Sequence, residues 1–258
     1  MAGFGILQFN MQYGQCWDEK DPNNAPIQLD NSIKFIQSHQ ADIVCLQEVE
    51  HARDGACQPE PPIIYTQIKA AMSDYHSYFR YPPPDARELP FGFGLAIFSK
   101  TPLENTFSQE LPAPPIEFDF YGKTTSPTRR LLIGAQTSIQ GHPLQIFNTH
   151  LQAFFMINAT SNDYPEQRNV IAKLLKQTEL PAILAGDFNS APNESLVEQY
   201  EELGFKTTQK EEITWKRMPY VLDHVFYNTS LKLEQSQVID TDTSDHHALL
   251  AHFSFQKP

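Results

Sequence analysis

Four apolar runs in this sequence each lead into side chains that bind cations, carry protons or hold anions. Ile6-Leu7-Gln8-Phe9 is followed by Asn10, and Ile43-Val44-Cys45-Leu46-Gln47 by Glu48. Leu144-Gln145-Ile146-Phe147-Asn148-Thr149 is followed by His150, and Ala182-Ile183-Leu184-Ala185-Gly186 by Asp187 and Asn189. Carboxylate and amide oxygens are hard ligands of the kind that Mg²⁺ takes. Carboxylates and imidazoles also exchange protons in hydrolysis. Each residue alone has an ordinary explanation: a Glu after a buried strand is commonly a loop residue or a helix cap, and a His there is commonly a hydrogen-bonded structural group. The repetition matters more, because α/β proteins gather their active groups at strand ends that face a common rim.

A shared rim needs strands alternating with helices. Residues 4–10 alternate and predict a strand, and Leu29, Ile33 and Ile36 fall at helical spacing within 28–39. Residues 42–47 predict a short buried strand and 63–73 a second helix. Strands follow at 93–98, 103–110, 129–138 and 144–149, with Gly141-His142-Pro143 as the turn between the last two. Residues 165–177 predict a helix with Pro165 in its first turn, 181–186 a buried strand, and 193–203 a short helix started by Asn193. Residues 213–254 alternate in the manner of antiparallel strands. Prolines at 82–84 and within 112–115 mark loops. With no repeat or linker, residues 1–258 are expected to form a single mixed α/β domain.

A chain of 258 residues can bury a sizeable core. None of its runs approaches the roughly 18 apolar residues of a membrane span. Met1-Ala2-Gly3 leads into the first apolar run without the basic stretch of a signal peptide. Cys16, Cys45 and Cys57 are an odd set without metal-ligand spacing; Cys45 reads as a small core residue. A cytoplasmic location is therefore expected, with a monomeric chain. The net charge of −12 repels polyanions at long range. That weighs against a general duplex nuclease, although a local basic groove is compatible with a negative total.

The segments Gln8-Phe9-Asn10, Leu46-Gln47-Glu48-Val49, Asn148-Thr149-His150-Leu151, Gly186-Asp187-Phe188-Asn189, Leu222-Asp223-His224-Val225 and Ser244-Asp245-His246-His247 occur in this order. Together they resemble the ordered motifs of the endonuclease/exonuclease/phosphatase superfamily, from residue 6 to about residue 254. The resemblance implies a four-layer α/β sandwich, in which two mixed β-sheets pack face to face and are flanked by helices. It implies hydrolysis of a phosphate ester by in-line attack of water, with Mg²⁺ or Mn²⁺ as cofactor. Glu48, Asn10 and Asp245 match positions in or next to the metal's shell. His246 matches the histidine at the attack site, and Asp223 the carboxylate that orients it. Asp187 matches the group that positions or deprotonates water, while Asn189 and His150 are expected to donate to phosphoryl oxygens.

Several readings stay open in the sequence. His224 and His247 are expected to be structural, and a zinc site from His150, His246 and His247 matches no trusted spacing. Arg129 and Arg130 are either a solvated strand start or include one arginine facing the cleft. Residues 151–168 resemble the sphingomyelinase branch in their apolar start, or else pack on the domain's own core. Arg168 reads as an ordinary family position. Phe91, Phe93, Phe118, Phe120 and Tyr121 are candidates for an aromatic wall. The substrate favoured is a small or lipid-linked phosphate ester. The alternatives are a Mg²⁺-dependent nuclease or DNA end-processing phosphodiesterase, and a non-catalytic binding module on the same fold.

Overall fold

The computed structural model describes residues 3–53, 57–88, 92–120 and 122–256. One six-stranded sheet contains β1 (Gly3–Asn10), β2 (Ile43–Gln47), β4 (His76–Arg80), β6 (Leu95–Ser99), β15 (Leu231–Ile239) and β16 (Ala248–Phe255), in the order β15-β16-β1-β2-β6-β4. The other contains β7 (Glu104–Leu111), β10 (Arg130–Ile139), β11 (His142–His150), β12 (Ala182–Asp187), β13 (Phe205–Thr207) and β14 (Asp223–Asn228), in the order β13-β14-β12-β11-β10-β7. Each has one parallel pair at its centre, β1 with β2 and β11 with β12, and antiparallel neighbours outside it. Two short ribbons join β3 (Glu50–His51) to β5 (Gly92–Phe93) and β8 (Phe118–Phe120) to β9 (Lys123–Thr125).

Side-chain alternation builds the layers. Successive residues of a strand point to opposite faces. Ile6, Ile43, Cys45 and Ile97 of the first sheet therefore meet Ile133, Ile146, Ile183 and Val225 of the second in one buried cluster. The intervening residues Leu7, Phe9, Val44 and Phe98 face outward, against Ile33 and Ile36 of α1 (Leu29–Ser38) and Ile68 of α2 (Ile63–Ala71). On the far side Leu132, Phe147, Leu184 and Phe226 pack on Ile171 and Leu175 of α3 (Glu166–Lys176) and on Leu196 and Tyr200 of α4 (Leu196–Glu202). The result is the expected four-layer sandwich, with both sheets apolar on both faces. No helix among the described residues is long and apolar enough to cross a membrane.

Local differences from the sequence-based expectation have local causes. The β10–β11 turn is Gln140-Gly141, with φ of 53° and 83°, and Ile139 pairs with His142. A two-residue hairpin needs positive φ at both central positions, which Gly141 takes without cost. His142 and Pro143 belong to β11; Pro143 precedes the first residue paired with β12, Gln145, so its missing N–H breaks no bond to that strand. Asn193 does not start α4: its φ of 73° is left-handed, and Ser195 takes the cap position instead. Residues 213–222 form no ladder but a loop in which Trp215 bridges Tyr220 and His246.

Candidate active site

The same alternation that places Ile6, Cys45, Ile146, Ile183 and Val225 between the sheets places polar groups there near one rim. Asn10, His150, Asp187 and Asp223 are all inward-facing positions at strand ends. His150, Asp187 and Asp223 are direct neighbours across β11, β12 and β14. Beneath them lies a buried amide ladder. Gln8 Nε2 donates to Gln47 Oε1 and to Asp223 Oδ1, both at 2.8 Å, and Gln47 Nε2 donates to Asn148 Oδ1 at 2.7 Å. Asn148 Nδ2 returns the link to the first sheet through the carbonyls of Leu46 and Ala96. Polar groups this deep require partners, and here the partners tie the two sheets together under the site.

Asn10, Glu48 and Asp245 are held by the loop after β1. Gln12 N–H donates to Asn10 Oδ1, Gln12 Oε1 accepts from Asp245 N–H, and Tyr13 N–H donates to the Glu48 carbonyl. Gln12, Tyr13 and Glu48 all have left-handed backbones, with φ of 42°, 45° and 49°. Such conformations concentrate at functional sites because the surroundings must enforce them. The Asn10 amide presents its nitrogen, not its oxygen, to Glu48 Oε1 (3.3 Å) and Asp187 Oδ2 (3.0 Å). To serve as the expected oxygen ligand it would have to turn over and release Gln12. Gly92 opens the space for Glu48, since a Cβ there would lie 2.6 Å from Glu48 Oε2.

Burial, and then the nearby Asp245 carboxylate, push Glu48 up to about 8. Burial and the charges of Glu48 and Asp245 likewise raise the neighbouring Tyr13 hydroxyl to about 12. These shifts are the signature of too much negative charge in a dry place. An oxygen donor set of this kind fits a hard divalent cation, with Glu48 and Asp245 as the carboxylates that would hold it.

On the other side of the cluster, His246 Nδ1 lies 2.8 Å from Asp223 Oδ2, and its Nε2 is 3.7 Å from Asp187 Oδ2. Burial works against charge on this ring. The carboxylates of Asp223, Asp187 and Asp245 and the Asp223 hydrogen bond outweigh it and hold His246 at about 10. His150 behaves oppositely: burial, Arg130 and His246 hold it well below the ordinary imidazole range, so it is neutral although its Nε2 is 3.5 Å from Asp187 Oδ2. Burial and Asp223 raise Asp187, against the pull of His246, the Asn10 amide and the backbone N–H of Asn189 at 2.9 Å. The side-chain Nδ2 of Asn189 donates one hydrogen to the Leu151 carbonyl at 3.0 Å and keeps a second for a ligand.

Asp187, Asp223 and His246 also offer ligand atoms within 4.8 Å of one another. The 2.8 Å hydrogen bond between His246 Nδ1 and Asp223 Oδ2 competes with a metal for two of these side chains. His150, His246 and His247 do not form a zinc triad: His247 Nδ1 instead lies near Asp240 Oδ1, at 3.1 Å. His224 is also structural, with Nδ1 3.0 Å from Thr207 Oγ1.

The sequence profile described as the Endonuclease/Exonuclease/phosphatase family matches residues 7–246. The chain belongs to that family. Its members are hydrolases of phosphate esters, nucleases among them, and generally use divalent metals. A UPF0294 protein of Vibrio campbellii (strain ATCC BAA-1116) is 32% identical over 121 residues, 44% of this chain and 41% of that protein. The match thus spans less than half the length of this curated relative. Among solved structures, an endonuclease/exonuclease/phosphatase from Beutenbergia cavernae DSM 12333 superposes with a TM-score of 0.73 at 18% identity, covering 99% of this chain and 72% of that one. The human Nocturnin catalytic domain with bound sulfate anion gives 0.69 at 20% identity, covering 99% and 94%.

Around this family's polar centre, the sequence left the periphery undecided. Arg130 is the arginine on the site side: its charge reaches His150 and its Nη2 donates to Gln152 Oε1 at 3.2 Å. Arg129 pairs with Glu110 at the surface. Phe93 is core, Phe118 and Phe120 lie in the β8–β9 hairpin, and Phe91 and Tyr121 fall outside the described residues. Other aromatics pack beside the site among the described residues. Phe155 packs on Trp215 (5.5 Å) and Tyr220 (5.3 Å), and Trp215 packs beside His246 (6.3 Å). Phe154 of the 151–168 segment is buried and stacks on Tyr164, whereas Met156 is exposed. Arg168 is buried and donates to Asn162, away from any reading role. Gln8, Gln47 and Asn148 are the residues that motif reading quoted without a role. Their inward parity, two residues before the site groups Asn10 and His150 and one before Glu48, was the available signal.

Proposed function

We propose that the chain is a single catalytic domain that hydrolyses a phosphate ester with a divalent metal, Mg²⁺ or Mn²⁺, by in-line attack of water. One observation carries the reading: carboxylates from four separate segments, Glu48, Asp187, Asp223 and Asp245, converge with His150 and His246 in one cluster. When bound near Glu48 and Asp245, the metal supplies Lewis-acid polarisation of a phosphoryl oxygen. Asp187, raised by its surroundings and fixed by Asn10 and Asn189, accepts the proton of the attacking water. His246, charged and oriented by Asp223, donates from Nε2 to a phosphoryl oxygen and stabilises the negative charge that develops. Neutral His150 and the free hydrogen of Asn189 Nδ2 donate from the other side.

A small or lipid-linked phosphate ester suits this chain better than duplex nucleic acid. The net charge is −12, and an aromatic ring, Trp215, packs beside His246. Retention of the whole polar set counts against a binding module without turnover. The test is a substrate panel with Mg²⁺: bis-p-nitrophenyl phosphate, p-nitrophenyl phosphate, sphingomyelin, inositol phosphates, a 5′-tyrosyl oligonucleotide, an abasic oligonucleotide and supercoiled plasmid. Turnover of a small or lipid ester, lost with EDTA and restored by Mg²⁺, is expected. Plasmid nicking as the main activity would replace the substrate assignment with a nuclease, and no metal-dependent turnover at all would favour the binder.

A further inference from the structure

Arg217 belongs to none of the family motifs in this sequence, yet its side chain makes the shortest ion pair to Asp245 among the described residues. Its Nε donates to Asp245 Oδ2 at 2.7 Å, and Trp215 Nε1 donates to the same oxygen at 3.3 Å. The other end of the guanidinium holds the loop after β1: Nη1 donates to Asn23 Oδ1 at 2.7 Å and Nη2 to the Pro22 carbonyl at 3.2 Å. Its plane lies 5.7 Å from the Trp17 ring. These contacts occupy three sides of a rigid fork, which leaves the group committed to protein and not to substrate.

The consequence falls on Asp245. Two donors hold Oδ2, which leaves Oδ1 turned toward His246, 4.0 Å from its Nε2. Asp245 also sits near the Glu48 carboxylate, which repels it, while His246 approaches its Oδ1 from the other side. The Arg217 charge behind it offsets part of that repulsion. Resting on the metal-dependent reading above, we propose that Arg217 is a positioning residue, which aims Asp245 Oδ1 at the cation and links cation binding to the order of the 17–23 loop. Partners that orient a ligating carboxylate commonly contribute about 10- to 100-fold to metal affinity.

Lys216 provides the control that separates aiming from loop anchoring. Its Nζ also lies near the Trp17 ring, at 6.0 Å, and binds the Thr241 carbonyl and Asp240, but it makes no contact with the Asp245 carboxylate. Mn²⁺ affinity is measured by calorimetric titration of the whole chain, without substrate. R217M is expected to weaken Mn²⁺ by about tenfold or more, R217K by less, and K216M by under about twofold, because only the first two disturb a ligand's orientation. Should R217M fail to fold, R217K and N23A carry the test, each with a weakening of at least about threefold, on the scale of a partial loss of ligand orientation. Unchanged affinity in the folded Arg217 variants, or an equal loss in K216M, would overturn the inference while leaving the metal reading intact. A wild-type chain that binds no Mn²⁺ would overturn both.

Discussion

His246 is bound through Nδ1 to Asp223 Oδ2 at 2.8 Å, and Asp223 is in turn pinned by the Gln8 amide from the opposite sheet. Both Asp223 and His246 are buried, so their charges are weakly screened and the Asp223 carboxylate favours the charged form of His246. The imidazole therefore stays protonated through the neutral range. In the proposed reaction it donates to substrate, and Asp187 takes the base role.

Asp223→Asn keeps the shape and removes the charge. The Asp223 charge and its ionic hydrogen bond no longer raise His246, so its proton is lost at lower pH than the present value of about 10. Turnover of the responsive substrate is expected to fall by about 10³-fold or more, in the manner of other oriented-histidine sites. The alkaline limb of the pH–rate profile should move to lower pH. An unmoved limb would mean that the charged ring does not govern the reaction. The sign for stability is separate. A histidine raised from 6.5 to about 10 on folding contributes stability that is fully present below 6.5 and lost as pH rises through 10.

The catalytic set was more legible in the sequence than the machinery that holds it. Asn10, Glu48, His150 and Asp187 stand at the ends of apolar runs, and strand alternation alone turns the inward positions toward one hollow. The layers followed from the same pattern, as Leu7 and Phe9 against Ile6 illustrate. The supports escaped because their partners are remote in the chain: Gln8 meets Asp223 215 residues away, and Arg217 meets Asn23 194 residues away. Nothing local marks such pairs. The short edge strand Phe205–Thr207 was missed for a related reason: three residues carry too little periodicity to register. Asn193 misled because a cap and a left-handed turn both favour asparagine.

Gly92 controls the position of Glu48. An added methyl would lie 2.6 Å from Glu48 Oε2 and 2.7 Å from both Glu48 Cβ and Tyr13 Cδ1, closer than van der Waals contact allows. Gly92→Ala is expected to displace the Glu48 side chain and lower Mn²⁺ affinity by more than about tenfold, as loss of a ligand's placement does. The overpacking should cost about 1–3 kcal/mol of stability in denaturant unfolding. Full metal affinity in this variant would show that Glu48 is not a ligand.

His224 gives an acid-side stability effect with the opposite sign to His246. Burial, offset in part by Asp223, lowers it from 6.5 to about 4. The unfolded chain takes up this proton below 6.5 while the folded chain resists until about 4. Its contribution is thus lost as pH falls through that window, by about 3 kcal/mol in full. His224→Asn retains a polar partner for Thr207 and has nothing to titrate. Its destabilisation relative to wild type, read from urea midpoints, should shrink steadily between pH 7 and pH 4. A constant gap across that range would mean that His224 is solvated or already charged.

Glu48 ties metal binding to pH. With its carboxyl raised to about 8 by burial and by Asp245, much of the metal-free protein carries a proton there at neutral pH. A divalent cation binds the carboxylate, so binding must expel that proton. Below 8 the apparent Mn²⁺ affinity is expected to rise by nearly tenfold per pH unit, and to level off above it, as for the release of a single proton. Calorimetric titrations at pH 7 in two buffers of different ionisation enthalpy should report close to one proton released per ion. In Glu48→Gln both the proton release and most of the affinity should vanish. Binding that is tight and independent of pH from 6 to 8 would place the cation away from Glu48, and with it would fall the assignment of the carboxylate cluster as the metal centre.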